Sequence, residues 1–418
     1  MPELSRRDLA VGALAAAAAL AARPSRLLAA AEPPLRPITG EVDPIGTAER
    51  LQRLEKARGL MRRHGLGSIL VEPGASLDYF TGVQWWRSER LTAALIPVEG
   101  EPIVFTPFFE EPSVRETLGI PAEVRTWVEH EDPLKLVAGA LRERKLAGRA
   151  VGIEETVRFF AVDGLRKAMP RIDLRSAAPV VRGCRMVKSP HELRLMQKAA
   201  DVTVAAYRHT WRRIEKGMTP ADIATIMNRA TEALGGVPQF ALVLLGEASA
   251  YPHGTGKPQQ VRQGEVVLMD CGCTVHGYQS DISRTFVFGE ATPEQRKVWN
   301  HMRDGQRVAF AAAQVGTPAG QVDDAVRRYY ESLGYGPGYK LPGTSHRTGH
   351  GIGLEGHEPV NFVHGETTKL APGMCFSNEP GIYLPGKFGV RLEDCLYITE
   401  AGPRYFSAPP TSLENPFG

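Results

Sequence analysis

The chain has little that would staple a small secreted scaffold or draw it to a polyanion. Its cysteines, Cys184, Cys271, Cys273, Cys375 and Cys395, number only 5, an odd count that excludes a disulfide framework. Cys271 and Cys273 lie in an apolar stretch with no matching pair, so they read as small buried strand residues rather than half of a zinc site. Cys375 and Cys395 are expected on neighbouring strands, and a disulfide between them stays open. Charge of one sign is lacking too: 50 Lys plus Arg against 47 Asp plus Glu leave a net +3, without a basic tract. That balance argues against nucleic acid as a partner. The alanine-rich run from Leu9 to Ala22 is 14 residues, short of the roughly 20 that cross a bilayer. No low-complexity stretch follows it, and no internal repeat stands out.

That first run has the form of an export signal. Ser5-Arg6-Arg7-Asp8-Leu9 precedes it and Ala29-x-Ala31 offers a small-residue cleavage site. The Arg6-Arg7 pair favours the twin-arginine route. The expected location is therefore periplasmic, with no stable membrane insertion once the signal is removed. Residues 1–31 are assigned to the signal and residues 32–46 to a Pro-rich linker.

At 418 residues the chain is long enough for two domains. From about Thr47 to Val180, helical stretches (Thr47 to His64, Asp132 to Lys145, one ending near Met169) alternate with β-like runs (Gly67 to Val71, Leu91 to Pro97, Pro102 to Phe105, Val151 to Ile153). This alternation implies an α/β domain over residues 47–182. Ser189-Pro190 then pairs an N-cap with a first helical residue, and Thr219-Pro220 and Thr292-Pro293 repeat the device. Thr292 to Gln295 has the capping-box pattern. With paired β runs, Val266 to Val275 with Gly277 to Phe288 and Met374 to Glu379 with Val390 to Ile398, residues 186–418 read as an α+β domain with an antiparallel sheet.

The chemistry is concentrated in this second part. Asp270 is read as ending an apolar strand and Asp281, 11 positions on, as lying within the next, with a tight turn between Gly272 and Gly277. Two turn or edge carboxylates would explain the pair alone equally well. His350 follows in Thr348-Gly349-His350-Gly351, where the backbone can make close approaches. Glu379 and Glu393 sit in apolar β-like contexts where unpaired charge is costly. One centre of divalent cations removes that cost for all the carboxylates together, and paired ions can activate a shared water.

These residues resemble the pita-bread metallopeptidases, the family of methionine aminopeptidase, prolidase, Xaa-Pro aminopeptidase and creatinase. The ligand order Asp270, Asp281, His350, Glu379, Glu393 carries the resemblance. It implies that Asp270 chelates one ion, Asp281 and Glu393 bridge two, and His350 with Glu379 completes the second. It also implies that His253 and His357 flank the scissile amide. His346, Tyr383 and Arg391 match the proline-directed branch and are implied to contact substrate, Arg391 reading equally as an ion pair with a ligand carboxylate. Tyr79-Phe80-Thr81-Gly82 followed by Arg90 resembles the N-terminal domain of creatinase and prolidase, which pairs subunits; a homodimer is expected. Trp85-Trp86 in the intervening loop suits either core packing or a reach toward a neighbour's site.

The expected activity is hydrolysis of the Xaa-Pro bond at the N-terminus of short peptides or dipeptides by a metal-bridged water, with Glu379 as proton acceptor. The oxygen-rich ligand set suits manganese, and zinc, cobalt and iron also fit. Two rivals are a metal-dependent amidohydrolase of the same fold acting on a small non-peptide amide, and a non-catalytic binding module. The intact ligand set weighs against both.

Overall fold

The computed structural model describes residues 34–417. The expected export signal, residues 1–31, lies outside the described residues. Of the linker, the part from Pro37 onward packs down: Ile38 N–H donates to Leu234 O at 2.9 Å and Glu41 pairs with Lys198 at 3.0 Å.

The first domain is built on strands β1 (Leu66–Val71), β2 (Ala93–Pro97), β3 (Ile103–Pro107), β4 (Glu123–Trp127), β5 (Ala150–Ile153) and β6 (Leu174–Ser176). They form one sheet in the order β4-β3-β2-β1-β5-β6, antiparallel at β1-β2 and β2-β3 and parallel elsewhere. Every residue of β1, β2 and β3 is buried, as expected of strands covered on both faces. Alternation sorts them between two cores. Ile69, Val71, Ala94 and Ile96 pack with Leu54, Met61 and Val180 of α1 (Thr47–Arg63) and α6 (Ala178–Arg185). Leu70, Leu95 and Phe105 pack with Val137, Leu141 and Leu165 on the other side.

The second domain opens with α7 (Pro190–Trp211) and α8 (Pro220–Ala233), and continues through α9 (Pro293–Ala312) and α10 (Ala319–Ser332). The three Thr/Ser-Pro starts behave as expected: Ser189, Thr219 and Thr292 each close a capping box with Pro at the first turn. Between the helices lie antiparallel sheets. One contains β7 (Val237–Leu245), β8 (Val266–Val275) and β10 (Ile282–Val287) in the order β10-β8-β7, with the short β9 (Tyr278–Gln279) also on β8. Another has the order β12-β11-β13-β16-β17, from β11 (Gly349–Gly351), β12 (Glu358–Phe362), β13 (Cys375–Asn378), β16 (Asp394–Thr399) and β17 (Gly402–Tyr405). A hairpin of β14 (Gly381–Leu384) and β15 (Phe388–Arg391) completes them.

The cysteines are free and buried. Cys375 pairs across β13-β16 with Tyr397, and Cys395 with Ser377, so the two thiols are offset along the ladder and do not bridge. The Cys395 thiol donates instead to Asp281 O at 3.2 Å.

Candidate active site

Asp270 stands in the middle of β8, opposite Leu242 of β7 and Ser283 of β10. It does not end the strand as the sequence suggested. β8 runs on through Gly272, where a Cβ would meet Ser280 O at 2.3 Å, and the chain reverses at His276 and Gly277, whose φ values are 49° and 85°. Such a two-residue turn with both φ positive suits a tight hairpin. Asp281 falls in the break between β9 and β10. Along β8 the neighbouring positions face α7: Cys273 Sγ accepts from Thr203 Oγ1 at 3.2 Å. Period-two alternation therefore turns Asp270 away from the helix and into a cleft.

His350 is the centre of the three-residue β11, squeezed between β12 and β13. A Cβ on Gly349 would meet Ser377 O at 2.1 Å, so only glycine lets the strands close around the imidazole. His350 N–H donates to Ser377 Oγ at 2.9 Å, and Nδ1–H donates to Gly351 O at 3.1 Å. That second bond settles the tautomer: the Nε2 lone pair faces Glu379 Oε1 at 3.2 Å and Asp281 Oδ2 at 3.6 Å. A lone pair aimed at two carboxylates needs a cation or a proton between them.

Glu379 follows β13, its N–H on Thr348 O at 2.9 Å. Glu393 lies between β15 and β16, its N–H on Ser283 O at 3.0 Å and its Oε2 accepting from Ser283 Oγ at 2.8 Å. Ligand atoms of Asp270, Asp281 and Glu393 lie within 4.8 Å of one another, as do those of His350, Glu379 and Glu393. Asp270 Oδ1, Asp281 Oδ1 and Glu393 Oε1 are buried without any hydrogen-bond partner. Burial, reinforced by the neighbouring carboxylates, pushes Asp281 and Glu393 well above the ordinary carboxylate range. Burial also works to raise Glu379, but a proton on His350 Nε2, standing where a cation would, donates to it and, with Arg391, holds it at about 2. Three orphaned carboxylate oxygens on residues that cluster with one another, and through Asp281 and Glu393 with one imidazole, fit hard divalent cations.

Arg391 is the hub behind these ligands. Its Nη2 donates to Asp270 Oδ2 at 2.7 Å, Nε to Ser283 Oγ at 3.0 Å, and Nη1 to Tyr383 Oη at 3.0 Å and to Pro252 O at 3.1 Å. The last bond fixes the loop that carries His253. Tyr383, fully buried, passes the contact on: its O–H donates to His346 Nε2 at 2.8 Å, because His346 Nδ1–H is committed to Arg347 O at 2.8 Å. Burial depresses His346 and so favours the neutral ring that this chain requires. Of the three residues expected to contact substrate, His346 and Arg391 line the cleft, whereas Tyr383 stands behind His346.

The cleft has a volume of about 780 Å³ and is also lined by His253, His357, Phe240, Leu242, Arg347 and Glu355. The rings of His357 and His350 lie 4.1 Å apart, and His357 groups with Asp281 and His350 within 4.8 Å. The structure thus brings every sequence-expected site residue to one place. It adds several that the sequence reading missed. Ser283 and Ser377 each stand two residues before or after a ligand on the same strand face, a spacing that could have revealed them. Asp323 on α10 could not have been found that way: its Oδ1 accepts from Thr348 N–H at 3.1 Å and Thr348 Oγ1 at 2.7 Å. Its ion-pair partner Arg327 holds His346 O at 2.7 Å, so this buried pair carries the arm between His346 and His350. Beside His357, Glu358 meets Arg185 at 2.6 Å and Lys188 at 3.0 Å, anchoring the loop of His357 to the domain boundary.

Two family descriptions match this chain: Metallopeptidase family M24 over residues 194–400, and Creatinase/Prolidase N-terminal domain over residues 53–187. Among curated proteins, a probable dipeptidase PepE of Mycobacterium tuberculosis is 32% identical over 355 residues, 84% of this chain and 92% of that protein. A Xaa-Pro dipeptidase of Lactobacillus delbrueckii subsp. lactis is 30% identical over 363 residues, 85% of this chain and 96% of that one. Among solved structures, the dipeptidase PepE of Mycobacterium ulcerans superposes with a TM-score of 0.81 at 33% identity, covering 88% of this chain and 98% of that one.

Proposed function

We propose, from the premise that the chain belongs to metallopeptidase family M24, that it hydrolyses the bond between an N-terminal residue and a following proline in short peptides, with two divalent ions at Asp270, Asp281, His350, Glu379 and Glu393. The observation that carries this reading is that Asp270, Asp281 and Glu393, each with a buried carboxylate oxygen that has no partner, gather their ligand atoms within 4.8 Å, and that Glu393 gathers in the same way with His350 and Glu379. When bound, two such ions lower the pKa of a shared water and polarise the scissile carbonyl. The oxygen-rich donor set favours manganese, with zinc, cobalt and iron as further fits.

The residues of the chain do the rest. Glu379 takes a proton from the attacking water and passes it to the leaving imino nitrogen. His253 and His357 face the cleft and donate hydrogen bonds as charge develops on the carbonyl oxygen and leaving group. Arg391 and Tyr383 hold Asp270 and His346 in place. The proline preference rests on the His346, Tyr383, Arg391 relay together with the Xaa-Pro dipeptidase named above.

The manganese-loaded protein should cleave Xaa-Pro dipeptides or longer Xaa-Pro peptides and leave non-proline controls intact; inertness toward all three with metal bound would overturn the reading. Asp281→Ala should abolish both metal pairing and turnover. Retained turnover would show the ligand assignment to be wrong.

Two further proposals concern setting. The N-terminal domain exposes Trp86 (67%), Phe108 (61%), Phe109 (57%) and Phe159 (73%), aromatic side chains of the kind that a second copy of the chain would cover. Light scattering should give a dimer that Phe159→Ser combined with Phe108→Ser weakens. Export by the twin-arginine route follows from Arg6-Arg7; Arg6→Lys with Arg7→Lys should keep the protein in the cytoplasmic fraction.

A further inference from the structure

β7 is the edge of its sheet: β8 pairs with one side of it, and no strand among the described residues pairs with the other. In an antiparallel strand the N–H and C=O of one residue point to the same side, and successive residues alternate. Leu245 shows which side is free. Its N–H donates to the Gln259 side-chain carbonyl at 2.9 Å, away from β8. The register from Phe240 to Leu245 is unbroken, so the peptide groups of Ala241 and Val243 lie on the same free edge as that of Leu245. One donor of this edge is thus already bonded by an amide group that belongs to no strand.

A groove of about 480 Å³ runs along the edge, between the backbone of Ala241 to Leu244 and the loop of His253 and Gly254. Leu242 and His253 line both this groove and the metal cleft, so the two spaces adjoin. The far wall is made by Ala221 and Ala224 of α8, small side chains that leave width for a passing backbone. An enzyme that removes one N-terminal residue needs room for a single residue on that side of the scissile bond. All further substrate length lies on the leaving side.

We propose that this groove binds, as an added strand, the segment that follows the proline in substrates longer than a dipeptide, with Ala241 and Val243 supplying the main-chain hydrogen bonds. The inference rests on the Xaa-Pro peptidase reading. Strand addition is bonded through the backbone, so the groove reads chain length more than side-chain identity.

The test compares alanyl-proline with the tetrapeptide alanyl-prolyl-alanyl-alanine on the manganese-loaded protein. Ala224→Phe and, at the exposed start of α8, Ala221→Trp should lower kcat/KM for the tetrapeptide about tenfold, the factor that two ordinary net hydrogen bonds make, and leave the dipeptide unchanged. Dipeptide turnover also reports that each variant is folded. An equal loss on both substrates, or a wild type that cleaves only the dipeptide, overturns the proposal. Inertness of the wild type toward both strikes the peptidase reading instead. Amide exchange on the metal-free protein then decides the groove: the tetrapeptide should slow exchange at Ala241 and Val243 where the dipeptide does not, and unchanged exchange overturns the proposal.

Discussion

Replacing Glu358 by glutamine tests how the loop of His357 is held over the cleft. Glu358 is 4% exposed. Its Oε1 accepts from Arg185 Nη2 at 2.6 Å, Leu354 N–H at 3.0 Å and Glu355 N–H at 3.2 Å, and its Oε2 accepts from Lys188 Nζ at 3.0 Å. Burial alone would raise this carboxyl, but Lys188 and Arg185 hold it at about 2 against an ordinary 4.5. A depression of that size corresponds to roughly 3 kcal/mol of stability. Removing one member of a buried ion pair costs about the same, 3–5 kcal/mol, because the partners stay buried without a counter-charge. The folded-state pKa lies below the unfolded one, so the contribution is full above the unfolded value and is lost as pH falls toward the folded one. Urea unfolding should find Glu358→Gln less stable by about 3 kcal/mol at neutral pH, with roughly 1.4 kcal/mol of that gap gone near pH 3.5. A gap that does not change with pH, or one below about 1 kcal/mol at neutral pH, would refute the idea that an ionised Glu358 anchors the loop.

Three other outcomes can be checked directly. Tyr383→Phe deletes the hydroxyl between Arg391 and His346 and should lower kcat/KM roughly tenfold, with metal content by elemental analysis unchanged; lost metal would mean that the hydroxyl supports the ligands instead. Asp323→Asn should destabilise the fold by about 3 kcal/mol in urea, since it leaves Arg327 buried beside a neutral amide, and should weaken manganese binding by calorimetry because Thr348, two residues before His350, loses its anchor. A thiol titration should find no reactive cysteine in the folded protein and 5 after unfolding, with or without prior reduction; a count of 3 without reductant would reveal a disulfide.

What could be seen in the sequence follows from the range over which each cause acts. The capping boxes at Ser189, Thr219 and Thr292 are local, with cap and partner three residues apart, and they stand where the residues put them. The buried β1 to β3 were visible as continuous apolar runs because both faces are covered. The paired runs put the reversal between Val275 and Gly277, where it lies, but Asp270 was misread as the strand's end because Gly272 and Gly277 look alike in a sequence and serve different needs. Gly272 makes room for Ser280 O inside a continuing strand, and Gly277 supplies a positive φ at the reversal. Only the pairing partner distinguishes them. The pairs Asp323 with Thr348 and Glu358 with Arg185 were invisible for a stronger reason: each joins segments brought together by packing, and neither half carries a local pattern that asks for the other. The proposed metal ligands escaped that limit because their local context is unfavourable. An acid such as Asp281 or Glu393, fully enclosed and pushed toward its neutral form by burial and by its neighbours, would be selected against in a strand that only had to fold. Asp281 and Glu393, gathered with Asp270, His350 and Glu379 where one cation centre would account for them all, carry more information than any number of well-placed leucines, which is why the most costly residues of this chain were also the easiest to read.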